Sequence, residues 1–278
     1  MTDWKKKLGF IVPSWNTVME YECQRLAPEG VSVHFTRIFH TDDTEAHVLK
    51  MIDKIPELAT LLGHAKLDAI CFGCTGGSFI RPGIDKEIVD VIEKGTGIPA
   101  TTTTTALVEA MREMGVTRVA LASPYPQWLN ERLTAYLADH GIKVVRERGL
   151  SVECPAFLPP ERAEALARDV DTSEADAIFI SCTNFRALEV VEKLEADLRK
   201  PVLTSNTTSM WHMLRKSGYD SIATCGGSLL REHLASSGRD PALKAKSGRP
   251  LGPGPGGRSR PASAEPPTQA ASAFSTAE

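Results

Sequence analysis

One strand-and-turn pattern occurs twice in this chain and constrains its fold more than any other feature. Residues 67–78 and 174–185 each run from an Asp-Ala-Ile segment through apolar residues to a Cys-Thr pair, Cys74-Thr75 and Cys182-Thr183. Each copy predicts a short buried strand that ends in a turn opening a helix. The spacing of the copies is that of a small α/β domain and is far longer than a solenoid repeat.

The rest of the chain alternates predicted strands with predicted helices. Further strands are predicted at 7–12, 31–37, 100–104, 118–122, 143–148 and 201–204. Helices are predicted at 17–26, 42–62 with a possible division at Pro56, 84–94, 106–114, 128–140, 160–170, 188–198 and 209–216. This alternation predicts an α/β fold with mainly parallel sheets flanked by helices. Ligands of such sheets bind beyond the carboxyl ends of the strands, where both Cys-Thr turns lie.

The correspondence between the two copies extends to prolines, since Pro13 matches Pro124 and Pro99 matches Pro201. We therefore predict two pseudo-symmetric halves followed by a tail rich in Pro, Gly, Ser and Arg. The predicted divisions are 1–104 completed by about 205–238, then 105–204, and a tail at 239–278. We expect the tail to be disordered, because it has too few large apolar residues to offset its ordering entropy.

Composition excludes several classes of partner. A net charge of −3 gives no electrostatic basis for binding nucleic acid or an acidic membrane. No apolar run reaches the roughly 20 residues that cross a bilayer, and the first residues have no apolar segment typical of an export signal. We therefore expect a cytoplasmic protein whose six cysteines are reduced rather than paired.

Cys71 and Cys74 have the Cys-x-x-Cys spacing found in redox and zinc sites. A redox pair places both sulfurs at the first turn of a helix, whereas Cys71 falls inside the predicted strand. The sequence has no second Cys-x-x-Cys or His pair to complete a zinc site, and no phosphate-loop motif follows a strand. We therefore predict neither a metal site nor a cofactor.

Cys74 and Cys182 are the candidate catalytic residues. A thiol at the first turn of a helix faces the positive end of the helix dipole and free N–H groups, which favour the thiolate. Two such thiols, one from each half, can flank a small substrate, with one acting as nucleophile or base and the other as acid. The alternative is that each is a small buried hydrophobe, but packing alone gives no reason to repeat a polar strand end.

The two cysteine turns, and the turns that follow Pro13 and Pro124, also supply candidate substrate-binding groups. Their backbone amides, hydroxyls and side-chain amides can hold a carboxylate without a full positive charge. The candidates are Asn16, Thr75, Gly76, Tyr125, Thr183 and Asn184, with Ser205-Asn206-Thr207 as a weaker one. Helix capping, turn chemistry and packing are the alternative explanations of these residues.

These residues resemble the Asp/Glu racemase superfamily and, within it, the branch of maleate cis-trans isomerases and arylmalonate decarboxylases. The resemblance covers about residues 7–235 and is carried by segments 9–20, 73–79, 123–125, 181–185 and 205–206. It implies two Rossmann-like halves with the site in the cleft between them, a homodimer and no cofactor. It also implies that Cys74 is the nucleophile and Cys182 the proton donor, while Asn16 and Tyr125 bind a carboxylate.

The presence of both cysteines favours isomerisation, because decarboxylases that the chain resembles keep only the second. The leading hypothesis is a two-cysteine isomerase that converts maleate, or a similar small dicarboxylate, to fumarate or its equivalent. One alternative is an amino-acid or hydantoin racemase that uses the same pair as opposed base and acid. The others are an arylmalonate-type decarboxylase and a non-catalytic protein that binds small acids.

Overall fold

The computed structural model alternates strands and helices as the hydrophobic pattern predicts. It describes residues 4–40, 44–221 and 223–234, all of which belong to one unit, Met1–Arg239. The tail that the sequence predicts to be disordered, 239–278, lies outside the described residues. No helix within the described ranges is both long and apolar enough to cross a bilayer.

The bounds of the elements follow the predicted pattern closely. The strands are β1 (Lys6–Pro13), β2 (Val31–Ile38), β3 (Ala69–Phe72), β4 (Ala100–Thr102), β5 (Arg118–Ser123), β6 (Lys143–Gly149), β7 (Ala177–Ile180) and β8 (Val202–Thr204). The helices are α1 (Val18–Leu26), α2 (Glu45–Ile52), α3 (Ile55–Gly63), α4 (Thr75–Phe79), α5 (Ile84–Thr96), α6 (Thr103–Glu113), α7 (Gln127–Asp139), α8 (Pro160–Val170), α9 (Leu188–Leu198), α10 (Ser205–Lys216) and α11 (Gly227–Glu232). A short 3-10 helix spans Pro155–Phe157.

The described strands form two four-stranded sheets with equivalent topology, β2-β1-β3-β4 and β6-β5-β7-β8. All neighbouring strands are parallel. Their register is also equivalent, since Leu8 pairs with Ala69 in one sheet and Val119 with Ala177 in the other. The winding reverses between the two central strands of each sheet, and ligands bind at such points. The predicted α/β fold of two pseudo-symmetric Rossmann-like halves is confirmed.

The Asp that begins each copy of the repeated segment has the same structural role in both sheets. Asp68 Oδ2 accepts the backbone N–H of Lys7 at 2.7 Å. Asp176 Oδ2 accepts the backbone N–H groups of Thr117 at 3.2 Å and Arg118 at 2.9 Å. Each Asp therefore joins the start of one central strand to the start of its neighbour, and satisfies backbone groups that the ladder leaves open.

A second pair of carboxylates acts at the entrance to the last strand of each sheet. Glu93 on α5 accepts the N–H of Ala100 at 2.9 Å, and Glu195 on α9 accepts that of Val202 at 3.0 Å. The pseudo-symmetry thus includes polar contacts as well as strand order.

Two helices begin earlier than the sequence pattern predicts. The pattern predicts helices from positions 106 and 209, whereas α6 begins at Thr103 and α10 at Ser205. In each case the last threonine of the strand caps the helix, since the hydroxyls of Thr102 and Thr204 accept the N–H three positions further on, at 3.2 Å and 3.0 Å. The β-branched runs that resemble strand are therefore buried first turns of helices.

The chain after β8 packs against elements on both sides of the predicted boundary at 104. Helix α10 packs against α6, α1 and β4, and its Arg215 forms an ion pair with Glu113 of α6 at 2.7 Å. The contacts with α1 and β4 belong to the predicted first half, whereas α6 (Thr103–Glu113) lies mostly in the predicted second half. The division of the chain at 104 and 204 stays a prediction.

Asp176→Asn should lower the free energy of unfolding by about 1–2 kcal/mol, because its charge-assisted bonds to two backbone amides are weakened. The hydrogen bond from the Arg118 side chain is the main cause that lowers the pKa of Asp176 to about 2. A lowered pKa means that the stabilisation is complete above the pKa of the unfolded chain and is lost as the pH falls towards 2.

Urea unfolding of the wild type and Asp176→Asn at about pH 6 and about pH 3 measures this effect. The difference between them should be clearly smaller at the lower pH. Asp169→Asn is the control, since Asp169 pairs with Arg148 on the surface and its loss should cost at most about 0.5 kcal/mol. A difference that is equal at both pH values would contradict this role of Asp176.

Candidate active site

The turns that follow β1, β3, β5 and β7 line one cleft at the carboxyl ends of the strands. The eight residues predicted from the sequence all line it: Asn16, Cys74, Thr75, Gly76, Tyr125, Cys182, Thr183 and Asn184. The cleft therefore takes residues from both halves, at the winding reversal of each sheet. The structure brings the predicted residues together, and their individual roles stay predictions.

Cys74 lies between β3 and α4 and is the N-cap of that helix. Its Sγ accepts the backbone N–H of Gly77 at 3.4 Å, and its side chain is 8% exposed. A hydrogen bond from a first-turn amide stabilises negative charge on the sulfur. Cys71 lies inside β3, where burial raises the pKa of its thiol to about 12. The Cys-x-x-Cys spacing therefore places only one sulfur in the cleft.

Cys182 has a different backbone from Cys74. The repeated pattern predicts that each Cys-Thr turn opens a helix, and this is wrong for the second copy. Helix α9 begins at Leu188, where the helix 188–198 is predicted. Cys182 has a φ of +93°, which residues other than glycine rarely adopt. Its Sγ accepts the N–H of Asn184 at 3.4 Å, and its own N–H donates to Ser205 Oγ at 3.0 Å. Such strain persists only where the surrounding contacts enforce it.

Two buried hydroxyls connect the cysteine turns of the two halves. Ser205 Oγ accepts hydrogen bonds from Cys182 N–H and from Thr75 Oγ1, each at 3.0 Å. Thr183 Oγ1 donates to the carbonyl of Gly73 at 3.1 Å. Each Cys-Thr turn is thus held against the other rather than by its own sheet alone. Ser205, a weaker candidate in the sequence analysis, occupies the centre of this arrangement.

Asn16 ties the turn after β1 to the second cysteine turn. Its Oδ1 accepts the N–H groups of Val18 at 3.1 Å and Met19 at 2.9 Å, which caps α1. Its Nδ2 donates to Thr183 Oγ1 at 2.9 Å, and this leaves one amide hydrogen for a ligand. In return, Asn184 Oδ1 accepts the N–H of Thr17 at 3.1 Å. The capping and binding interpretations of Asn16 are therefore compatible.

The cleft offers neutral donors to an anion, and the ring of His40 and the carboxyl of Glu153 line it as well. No Lys or Arg side chain is among the described residues that line it. Burial raises the pKa of Tyr125 well above its ordinary value, and the charges of Cys182 and Cys74 raise it further. The phenol therefore stays protonated and can donate to a carboxylate oxygen. Among the residues that the structure describes, no group of three His, Cys, Asp or Glu side chains is placed to hold a metal ion.

The titratable residues of this region that were not found from the sequence include His40, Glu153 and Glu22. His40 lines the cleft, and its ring lies edge-on to that of Trp15 with centroids 5.2 Å apart. Nothing in the spacing of the histidines indicates this position. Glu22 is fully buried behind the second cysteine turn. A signal for it does exist, because it falls on the apolar face of α1 beside Met19 and Cys23.

A sequence model of the arylmalonate decarboxylase family matches residues 8–230. The maleate isomerase of Nocardia farcinica is 29% identical over 247 residues, which cover 83% of this chain and 97% of that protein. The maleate isomerase of Geobacillus stearothermophilus is 26% identical over 244 residues, covering 81% and 96%. The chain therefore belongs to the arylmalonate decarboxylase family of the Asp/Glu racemase superfamily, and the resemblance predicted from the sequence is confirmed.

Solved structures refine this placement within the family. A maleate isomerase from Pseudomonas putida S16 with maleate superposes with a TM-score of 0.76 at 26% identity, covering 81% of this chain and 97% of that one. A cysteine-to-serine mutant of Nocardia farcinica maleate cis-trans isomerase carries a covalently bound succinylcysteine intermediate. It superposes with a TM-score of 0.78 at 26% identity, covering 82% and 98%. Within the family, the chain therefore belongs to the branch of the maleate isomerases.

The left-handed backbone of Cys182 predicts an inverted order of stability between two substitutions. Cys182→Gly should be more stable than Cys182→Ala by about 1 kcal/mol, because glycine adopts a positive φ without strain. Cys71 lies in regular strand, so there Cys71→Gly should be less stable than Cys71→Ala by about 0.5–1 kcal/mol. Urea unfolding of the four variants checks both orders, and the same order at both positions would show that Cys182 is unstrained.

Proposed function

We propose that this chain is a cis-trans isomerase that converts maleate, or a similar small cis dicarboxylate, to the trans isomer. The observation that carries the proposal is that Cys74 and Cys182, one from each half, line the same cleft. The relatives named maleate isomerase support it, since they align over most of their own length. In this proposal Cys74 is the nucleophile and Cys182 the proton donor.

The substrate dianion is held by groups that carry no charge of their own. Thr75 and Thr183 line the cleft, but their hydroxyls already donate to Ser205 Oγ and to the carbonyl of Gly73. The second amide hydrogen of Asn16 and the phenol of Tyr125 are the side-chain donors proposed for the substrate. Such donors stabilise charge where it increases during the reaction, and preorganisation makes them effective. A cationic side chain would instead bind the resting dianion and the transition state alike, which does not raise kcat.

The first step is addition of the Cys74 thiolate to one alkene carbon. A sulfur lone pair forms the C–S bond, and the π electrons move to the other alkene carbon and onto the carboxylate attached to it. Cys182 then gives its proton to that second carbon and becomes a thiolate. The carbon–carbon bond is now single, and the enzyme-bound species is a succinyl thioether of Cys74.

The second step follows rotation about this single bond. The Cys182 thiolate takes a proton from the carbon that it protonated, the double bond re-forms, and the Cys74 thiolate leaves. Both thiols return to their starting state, and no atom is oxidised or reduced, so the proposed reaction needs no cofactor. The intermediate has the composition of the succinylcysteine described for the Nocardia farcinica relative.

We also propose that the protein is a cytoplasmic homodimer. The mechanism needs Cys74 and Cys182 as reduced thiols. The cytoplasm keeps thiols reduced. The family resemblance is the basis for the dimer, and sedimentation equilibrium of the purified chain tests it.

Proton NMR of the purified protein with maleate should show the maleate vinyl signal replaced by that of fumarate. The same experiment with substituted maleates defines the tolerated substituents. Aryl malonates should lose no carbon dioxide, and the optical rotation of aspartate, glutamate and a hydantoin should stay constant. Turnover of one of these instead of maleate would replace the proposal by decarboxylase or racemase activity, and binding without any turnover would indicate a non-catalytic protein.

Cys74→Ala and Cys182→Ala should each lower kcat by at least about 1,000-fold while the fold is retained, because each removes one of the two reacting groups. Cys71→Ala is the matched control from the same motif and should keep most of its activity. Cys182→Ser should accumulate an adduct on Cys74 with the mass of one maleic acid, detectable by peptide mass spectrometry. Near-wild-type turnover in either alanine variant would contradict the two-thiol mechanism.

A further inference from the structure

Glu22 reaches from α1 of the first half to the segment that follows Cys182 in the second. Its side chain is fully buried. Oε1 accepts the backbone N–H groups of Ala187 at 2.9 Å and Leu188 at 3.0 Å, where α9 begins. Oε2 accepts from Asn206 Nδ2 at 2.7 Å. The carboxylate therefore has three donors, all from the second half or from α10.

The pseudo-symmetry shows that packing does not require a carboxylate at this position. The equivalent register of β1 and β5 makes Leu133 of α7 the counterpart of Glu22, and Leu133 is also fully buried. Burying an ionisable group is costly unless specific partners compensate. Desolvation accordingly raises the pKa of Glu22, and the bonds from Leu188, Asn206 and Ala187 oppose that rise.

The partners of Glu22 hold both ends of the segment 183–188. At its far end they are the amides of Ala187 and Leu188. At its near end the link is Asn206, whose Nδ2 also donates to the carbonyl of Thr183 at 3.2 Å. No helix stabilises this segment directly after Cys182, in contrast to the segment after Cys74. Its shape depends on contacts from outside, and so does the strained backbone of Cys182.

The geometry points to Glu22 as a positioning residue that, through Asn206, holds the proton-donating Cys182 in its left-handed conformation. Glu22 touches neither substrate nor thiol, and it acts on the reaction only through the turn that it fixes. The inference rests on the proposed function for its effect on kcat, but not for its effect on the Cys182 turn.

Two substitutions separate this role from simple packing. Glu22→Gln keeps the size of the side chain, but its amide N–H₂ must face either the backbone N–H groups or Nδ2 of Asn206, which are donors. An Asn206 amide that flipped to accept it through Oδ1 would lose its bond to the carbonyl of Thr183. Glu22→Leu introduces the residue that the other half uses, and it removes both the buried charge and the hydrogen bonds. Replacing a buried charge by an apolar side chain of similar volume often preserves stability, so the second variant is expected to fold even if the first is weakened.

The decisive measurement is the rate of iodoacetamide labelling at Cys182 relative to Cys74, obtained by peptide mass spectrometry. Opening of the turn should raise this ratio by at least about threefold in both variants, while labelling of Cys74 itself stays constant. Glu195→Gln is the matched control, because Glu195 is another largely buried carboxylate that accepts backbone amides, at the start of β8 and α11. In Glu195→Gln the labelling ratio of Cys182 to Cys74 should stay within about twofold of wild type even if the free energy of unfolding falls.

The kinetic expectation is a fall in kcat of about 10- to 100-fold in both Glu22 variants, since a small misplacement of a reacting group costs that much. A labelling ratio unchanged in Glu22→Leu and Glu22→Gln overturns the inference, whatever happens to the activity. If the wild type does not turn over maleate, the proposed function fails, and the labelling ratio still decides the role of Glu22.

Discussion

The site depends on hydrogen bonds that cross between the two halves of the repeat. Ser205 Oγ accepts from both Cys-Thr turns, and Thr183 Oγ1 joins Asn16 to the carbonyl of Gly73. These groups are buried, so breaking any one of them leaves an unsatisfied polar group with a cost of about 1–3 kcal/mol. The cleft is therefore preorganised by contacts that neither sheet can make alone, which is what stabilisation of developing charge by neutral donors demands.

Periodicity and the internal repeat predicted most of the fold because both express simple physical requirements. Alternating strands and helices can be buried only as parallel sheets with helices on their faces, and the repeated Asp, Pro and Cys-Thr positions align the two sheets. The same logic placed the candidate residues at strand ends that meet in one cleft. The exceptions are Thr103 and Ser205, where hydroxyl-rich β-branched runs imitate strand but form capped helix starts.

The sequence pattern predicts neither contacts between distant parts of the chain nor an unusual backbone conformation at a single residue. No local signal distinguishes the φ of +93° at Cys182 from an extended residue, because the strain is maintained by groups distant in the chain. Glu22 and its partner Asn206 are separated by most of the chain, and their contact is visible only after folding. The position of Glu22 on the apolar face of α1 indicates that this carboxylate is buried, but it does not identify Asn206 as its partner.

The carboxylate at position 22 is also where the chain departs most clearly from its own two-fold symmetry. A molecule with leucine at both equivalent positions would offer its two thiols more nearly the same surroundings, whereas the proposed mechanism gives addition to one thiol and proton transfer to the other. In this chain Cys74 takes a hydrogen bond within a regular helix start, whereas Cys182 is held in a strained turn by the opposite half. The difference in backbone between the two copies therefore makes the two thiols inequivalent, as the proposed division of roles requires.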